Sequence, residues 1–212
     1  MTYLTQALLD YAVAARLRLR DIYDWHQAAW KAFPGRDGQR RDFLTRLDRL
    51  DEQGLFRLLI VSHDEPVRPD WCPTGPDSWK TKPIPDTYFS RRIYRFQLRA
   101  NPTKKIRVDN PDGTRKPNGR RVPLCTREEL ADWLCRKGKS GGFMVAQSSL
   151  RILRLGREAF EKKGTCGIHS AVEFEGVLEV TNAKLFHETF TRGIGSAKAF
   201  GFGLLVIAPG ST

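Results

Sequence analysis

The stretch TRGIGSAKAFGFGLLVIAP, residues 191–209, sets Gly193, Gly195, Gly201 and Gly203 around Lys198 and then runs into an apolar segment. Gly193-Ile194-Gly195 followed by Lys198 has the look of a phosphate cradle. Such a cradle joins a strand to a helix that opens a further βαβ unit. Here Leu204-Leu205-Val206-Ile207-Ala208 follows instead, a strand-like run, with no βαβ unit between it and Thr212. The glycines therefore serve some other fold than a nucleotide-binding one.

Working back from that loop, residues 183–191 read as a short helix. Residues 167–180 read as a strand in which Ile168, Ser170, Val172 and Phe174 alternate, and another strand is expected near 142–155. Thr126 with Glu129 makes a capping box, opening a helix that runs to about Lys137 and stops at Gly138. Earlier in the chain, Tyr3–Asp10 and Leu55–Ser62 read as strands. Asp21 N-caps a helix in which Ile22, Trp25, Ala29 and Ala32 recur at helical spacing up to Phe33, before the breaker FPGRDG. Residues 43–50 fit a short helix or an edge strand. Residues 63–90 hold half of the twelve prolines and read as a long surface connection. RIYRFQLRA, residues 92–100, alternates Tyr94, Phe96 and Leu98 against Arg95, Gln97 and Arg99, a strand with one basic face.

Residues 101–121 are polar, turn-rich and basic, which places a boundary between domains 1–108 and 109–212. Each half follows the strand and helix order of a ferredoxin-like unit, although the second helix of the first half is weak. The expected fold class is α+β, with two tandem ferredoxin-like (RRM-like) domains built on antiparallel sheets. An RNP1 motif is absent, so RNA stacking on the sheet platform is not expected.

The 212 residues carry 36 Lys+Arg against 24 Asp+Glu, a net charge of +12 and a pI near 9.9. That surplus points to a polyanionic partner. No stretch approaches the roughly 18 apolar residues of a membrane span. The start, MTYLTQALLDYAVAAR, lacks a basic n-region, so neither a signal peptide nor membrane attachment is expected. Cys72, Cys125, Cys135 and Cys166 form no C-x-x-C pair and no zinc-like spacing with the four histidines. They read as free thiols in a reducing cytoplasm, and neither metal nor cofactor is expected.

The helix after Asp21 carries DIYDWHQAAWK. Tyr23 and His26 are three apart and share one face. An imidazole and a phenol so placed can both point at one phosphate, and RNA cleavage needs little more. The 2′-hydroxyl is a built-in nucleophile; the protein must take its proton, protonate the leaving 5′-oxygen and stabilise charge on the phosphorane. Histidine suits the proton transfers. Lys31 can supply a cation, although it lies about 140° round the helix from His26. Spacing alone also fits a packing or solvent-facing role for the pair. His63, His169 and His187 sit in unrelated contexts, and Glu173 with Glu175 reads as a solvated strand face.

GIGSAKAFGFGLL (193–205) resembles the glycine-rich loop of the CRISPR repeat endoribonucleases of the RAMP superfamily. With FQLRANPTKK (96–105), GRRVPL (119–124), FEGVLEV (174–180) and YDWH (23–26), the chain is similar to CasE-type subunits, which process CRISPR transcripts in type I-E Cascade. The resemblance implies two ferredoxin-like domains, metal-independent cleavage at the base of a repeat hairpin, and a product that stays bound among other Cascade subunits. It carries Tyr23, His26 and Lys31 as the catalytic set. It also places the glycine loop on the RNA-binding face of the second domain, near the domain junction. The phosphate contacts expected are Arg95, Arg99, Lys104, Lys105, Arg107, Arg120, Arg121, Arg151, Arg154 and Arg157, with Gly193, Gly195 and Lys198 from the loop. A non-cleaving crRNA-binding scaffold and an unrelated basic RNA-binding protein are the competing readings.

Overall fold

Two antiparallel sheets carry the chain, centred on strands Thr2–Asp10 and Leu55–Ser62 of its first half and on Ile93–Ala100 and Thr165–Val180 of its second. The computed structural model describes residues 1–36, 39–107, 114, 119–162 and 165–210. The first sheet is built from β1 (Thr2–Asp10), β2 (Leu44–Leu50), β3 (Leu55–Ser62) and β4 (Trp79–Ile84), in the order β2-β3-β1-β4. Helices α1 (Tyr11–Arg16) and α2 (Ile22–Trp30) lie between β1 and β2. The second sheet takes β5 (Ile93–Ala100), β8 (Phe143–Val145), β9 (Arg151–Lys162), β10 (Thr165–Val180) and β11 (Leu205–Pro209). Its order is β11-β5-β10-β8, with β9 also on β10. Helices α3 (Arg127–Ser140) and α4 (Ala183–Arg192) belong to this half, and β6 (Thr103–Ile106) pairs with β7 (Arg120–Pro123) as a separate ribbon. Both sheets have the ferredoxin-like order. Between β3 and β4 no helix forms; Pro66, Pro69, Pro73 and Pro76 interrupt that connection.

The apolar run of β3 has a simple cause. Leu58 and Ile60 face one core with Ala7, Leu9, Trp25, Ala29 and Phe43. Leu59 and Val61 face a second, larger core with Leu98, Trp133, Phe174 and Phe186. A strand buried on both faces reads as continuous rather than alternating, and here it joins the two halves. The ambiguity at 43–50 resolves as the edge strand β2, paired with β3.

Three expectations need correction. Residues 63–90 are not all connection: β4 lies within them as an edge strand on β1. Pro83 hides it, since proline is tolerated at an edge but argues against a strand in sequence. The strand at 93–100 pairs with β10 and β11, so the sheets divide the chain before Ile93 and not at 108. Residues 108 and 109 themselves, like most of the VDNPDGTRKPNG loop, lie outside the described residues. Finally, α3 passes through Gly138 to Ser140. A Cβ at Gly138 would stand 2.7 Å from the Phe143 carbonyl oxygen, so the glycine permits packing rather than ending the helix.

Where the sheets meet, a buried charge cluster fixes their relation. Arg46 is 4% exposed and Glu173 is 5% exposed. Arg46 donates to Asp48 Oδ1 at 2.9 Å and to Glu173 Oε1 at 2.8 Å. Arg99 donates to Glu173 Oε2 at 3.2 Å and to the Leu47 carbonyl at 2.6 Å, and Arg57 reaches Asp48 Oδ2 at 2.8 Å. Burial pushes the Asp48 carboxyl up, but the Arg46 charge and hydrogen bonds from Arg57 and Arg46 outweigh it and hold it below the usual range. Glu173 is thus no solvated face, and Arg99 is spent on the junction rather than presented to phosphate.

Candidate active site and nucleic-acid interface

Helix α2 is set by its own N-terminus. Asp21 accepts from the Tyr23 and Asp24 amides, and Asp24 reaches back to the Asp21 amide at 3.4 Å. The second Asp21 oxygen takes the Glu161 amide at 2.9 Å, which docks the tip of β9 onto the start of α2. One carboxylate therefore caps the helix and ties it to the other half.

Tyr23 faces that half, while His26, three residues on, packs within its own. The Tyr23 ring lies 6.3 Å from Phe200, in a 3-10 turn over Lys198–Phe200. Phe200 in turn lies 4.0 Å from Phe160 of β9 and 4.8 Å from His169 of β10. His26 is 5% exposed, with its ring 5.7 Å from Phe43 and its Nε2 accepting from the Trp30 indole at 3.2 Å. An acceptor Nε2 leaves the proton of a neutral imidazole on Nδ1. Lys31 is exposed beyond the last turn and lines a different cleft, with Asp24, Gln27 and Trp71. Tyr23 and His26 lie one turn apart on α2 with different ring neighbours, and Lys31 lines a different cleft.

The glycine loop is explained by packing. Gly201, at φ +72°, lets the backbone approach α2, where a Cβ would come within 3.1 Å of Ile22 Cδ1. Gly193, at φ +76°, sits where a Cβ would be 2.8 Å from Leu44 Cδ2. A Cβ at Gly195 would press on the Trp133 ring at 3.1 Å. Gly193 and Gly195, expected at the RNA, thus have an internal reason as well: with Gly201 they seat the loop on β2, α3 and α2.

The remaining basic residues fall into groups. Arg151, Arg154 and Arg157 are exposed along β9, and Arg95 is exposed on β5. Lys105 and Arg107 are exposed at the β6 end of the ribbon and Arg120 on β7; Arg121, also exposed there, reaches Thr103 Oγ1 at 3.4 Å. Lys104 is paired to Glu129 at 2.7 Å, tethering the ribbon to α3. That bond, with the Cys125 and Thr126 amides, takes the Glu129 carboxyl down to about 2. Lys198 donates to the Arg192 carbonyl at 2.8 Å. Phe160, His169, Phe200 and Arg41 stand at or beside the site without any local sequence signal beyond the glycines around Phe200. Among the described residues no group of three or more His, Cys, Asp or Glu is placed to hold a metal ion, and no helix is long and apolar enough to cross a membrane.

The family described as CRISPR associated protein matches residues 2–209. The chain is 32% identical over 206 residues to the CRISPR system Cascade subunit CasE of Escherichia coli (strain K12), covering 95% of this chain and 98% of that protein. It is 30% identical over 222 residues to the CRISPR-associated endoribonuclease Cse3 of Thermus thermophilus, covering 98% and 100%. The crystal structure of Cas6e from Escherichia coli K-12 matches with a TM-score of 0.72 at 29% identity, over 98% of this chain and 99% of that one. Cse3 bound to a 19 nt RNA matches with a TM-score of 0.72 at 30% identity, over 99% and 100%. From end to end of the matched region, the chain belongs to the CRISPR-associated protein family, in the group that contains CasE and Cse3.

Proposed function

We propose that this protein is a CRISPR repeat endoribonuclease that needs no metal, cuts precursor transcripts within the repeat, and keeps the resulting crRNA hairpin as a Cascade subunit. The observation that carries the reading is the Tyr23–His26 pair on one turn of α2, with Tyr23 beside the Phe200 turn where the two halves meet. Relatives named as an endoribonuclease and as a Cascade subunit support the substrate class and the assembly.

In this reaction the 2′-oxygen forms a bond to phosphorus while the bond to the 5′-oxygen breaks. One proton leaves the 2′-hydroxyl and one arrives on the 5′-oxygen. His26 is assigned to proton transfer and Tyr23 to orienting the phosphate; Lys31 completes the set on family resemblance alone. Exposed arginines on β9 and β5 hold the RNA backbone. The products are a 5′-hydroxyl fragment and a 2′,3′-cyclic phosphate.

A second reading, a non-cleaving scaffold, draws on one feature: His26 lies beneath Phe43 and Trp30. Under the enzyme reading the RNA must open that cover. Incubating the cognate repeat with the protein in EDTA and analysing the ends separates the two. Cyclic-phosphate and 5′-hydroxyl ends support the enzyme; intact, bound repeat supports the scaffold.

A further inference from the structure

A cleft of about 780 Å³ opens between the approach to β2 and the end of α4. Arg40 and Arg41 stand on one side of it, Arg192 and Lys198 on the other. Two carboxylates also line it. Asp42 is already taken by Arg36, through two bonds of 2.8 and 2.9 Å. That leaves Glu188, which is exposed, against four cations. Two of the cations are held by neutral groups: Arg41 donates to the Lys198 carbonyl and Lys198 to the Arg192 carbonyl. Carbonyls position these charges without cancelling them. Burial, then the neighbouring Arg41, Arg192, Arg40 and Lys137, holds the Lys198 ammonium below its usual range.

The cleft touches the candidate active helix twice. Phe43, in its wall, lies 5.7 Å from the His26 ring. Phe200, in the same 3-10 turn as Lys198, lies 6.3 Å from the Tyr23 ring.

From this arrangement we infer that the cleft is a phosphate subsite for the RNA strand immediately beside the scissile bond, with Arg40, Arg41, Arg192 and Lys198 as its ligands. The inference rests on the endoribonuclease reading above. A phosphate here offsets the crowding of like charge and pins the strand one step from Tyr23 and His26. Arg40, Arg41 and Arg192 are then positioning residues that the basic strand faces do not account for.

The test is a chemical double-mutant cycle. A repeat with a deoxynucleotide 5′ of the cut is made with its phosphates replaced, one at a time, by neutral methylphosphonates. Affinity is measured for wild type and for the paired variant Arg40→Gln/Arg192→Gln, both at exposed positions. Wild type should lose about three- to tenfold at one or two linkages next to the cut. The variant should bind the unmodified backbone more weakly by a similar factor and be indifferent at those linkages, while its losses elsewhere persist. Losses that add at every linkage, or a variant that binds like wild type, overturn the subsite; an acidic protein segment as the occupant would give that second result. Equal melting temperatures of the two proteins exclude a folding effect. Cleavage of the ordinary repeat in EDTA tests the underlying reading separately, so either can fail alone.

Discussion

His26 is where chemistry and packing compete most directly. His26→Ala should lower single-turnover cleavage by about 10²–10⁴-fold, the usual contribution of a positioned acid or base. Repeat affinity should change little, and a rate near wild type would remove the assignment. At the junction, Glu173→Ala strips Arg46 of a buried partner. It should cost about 3–5 kcal/mol, read as a fall in the urea midpoint. Asp48 adds a pH dependence. Its folded pKa lies below the ordinary 3.8, so its contribution is complete above that value and is lost as pH falls through the folded one. Melting temperature should therefore drop on acidification from pH 5 towards 3, and less steeply in Asp48→Asn. At this scale the sequence shows what is local. Tyr23 and His26 are legible because three residues make almost one helical turn. Phe160, His169 and Arg41 are not, because only the fold brings them to the Lys198–Phe200 turn. Arg99 misleads for the same reason: its strand alternation is plain, but the Glu173 and Asp48 that claim it come from other strands.

The glycine loop behaves as an element whose backbone shape is demanded by its neighbours. Gly193→Ala meets both a positive φ and the Leu44 side chain, and should cost about 1–3 kcal/mol. Gly35→Ala, at φ +77° with nothing within 4 Å, meets only the first and should cost no more than about 2 kcal/mol. Chemical denaturation of the two variants should rank them so; equal losses would mean that contact with β2 is not what the loop needs. Elements with internal logic are readable in sequence: capped α2 and α3, alternating β5, doubly buried β3. β4 escapes because Pro83 masks an edge strand. The sheet to which β5 belongs escapes because no local pattern states a strand's partners.

For the molecule as a whole, a charge of +12 makes RNA binding steeply dependent on salt. With about six phosphates neutralised, affinity should fall by about 10³ between 50 and 200 mM salt. A repeat with a single deoxynucleotide 5′ of the cut should bind nearly normally, resist cleavage and inhibit competitively. Cleavage of that substrate would mean that water is the nucleophile. The docking of Phe200 beside Tyr23 also carries a temporal consequence. Tyr23 emerges from the ribosome long before Phe200, and at ~5–20 residues per second the interval is of order ten seconds or more. Throughout that time α2 can fold but lacks the turn that flanks it. Under the proposed role of Tyr23, a chain still being translated is unarmed, and RNA near the ribosome meets a competent cutter only after both halves have been made and have closed on each other.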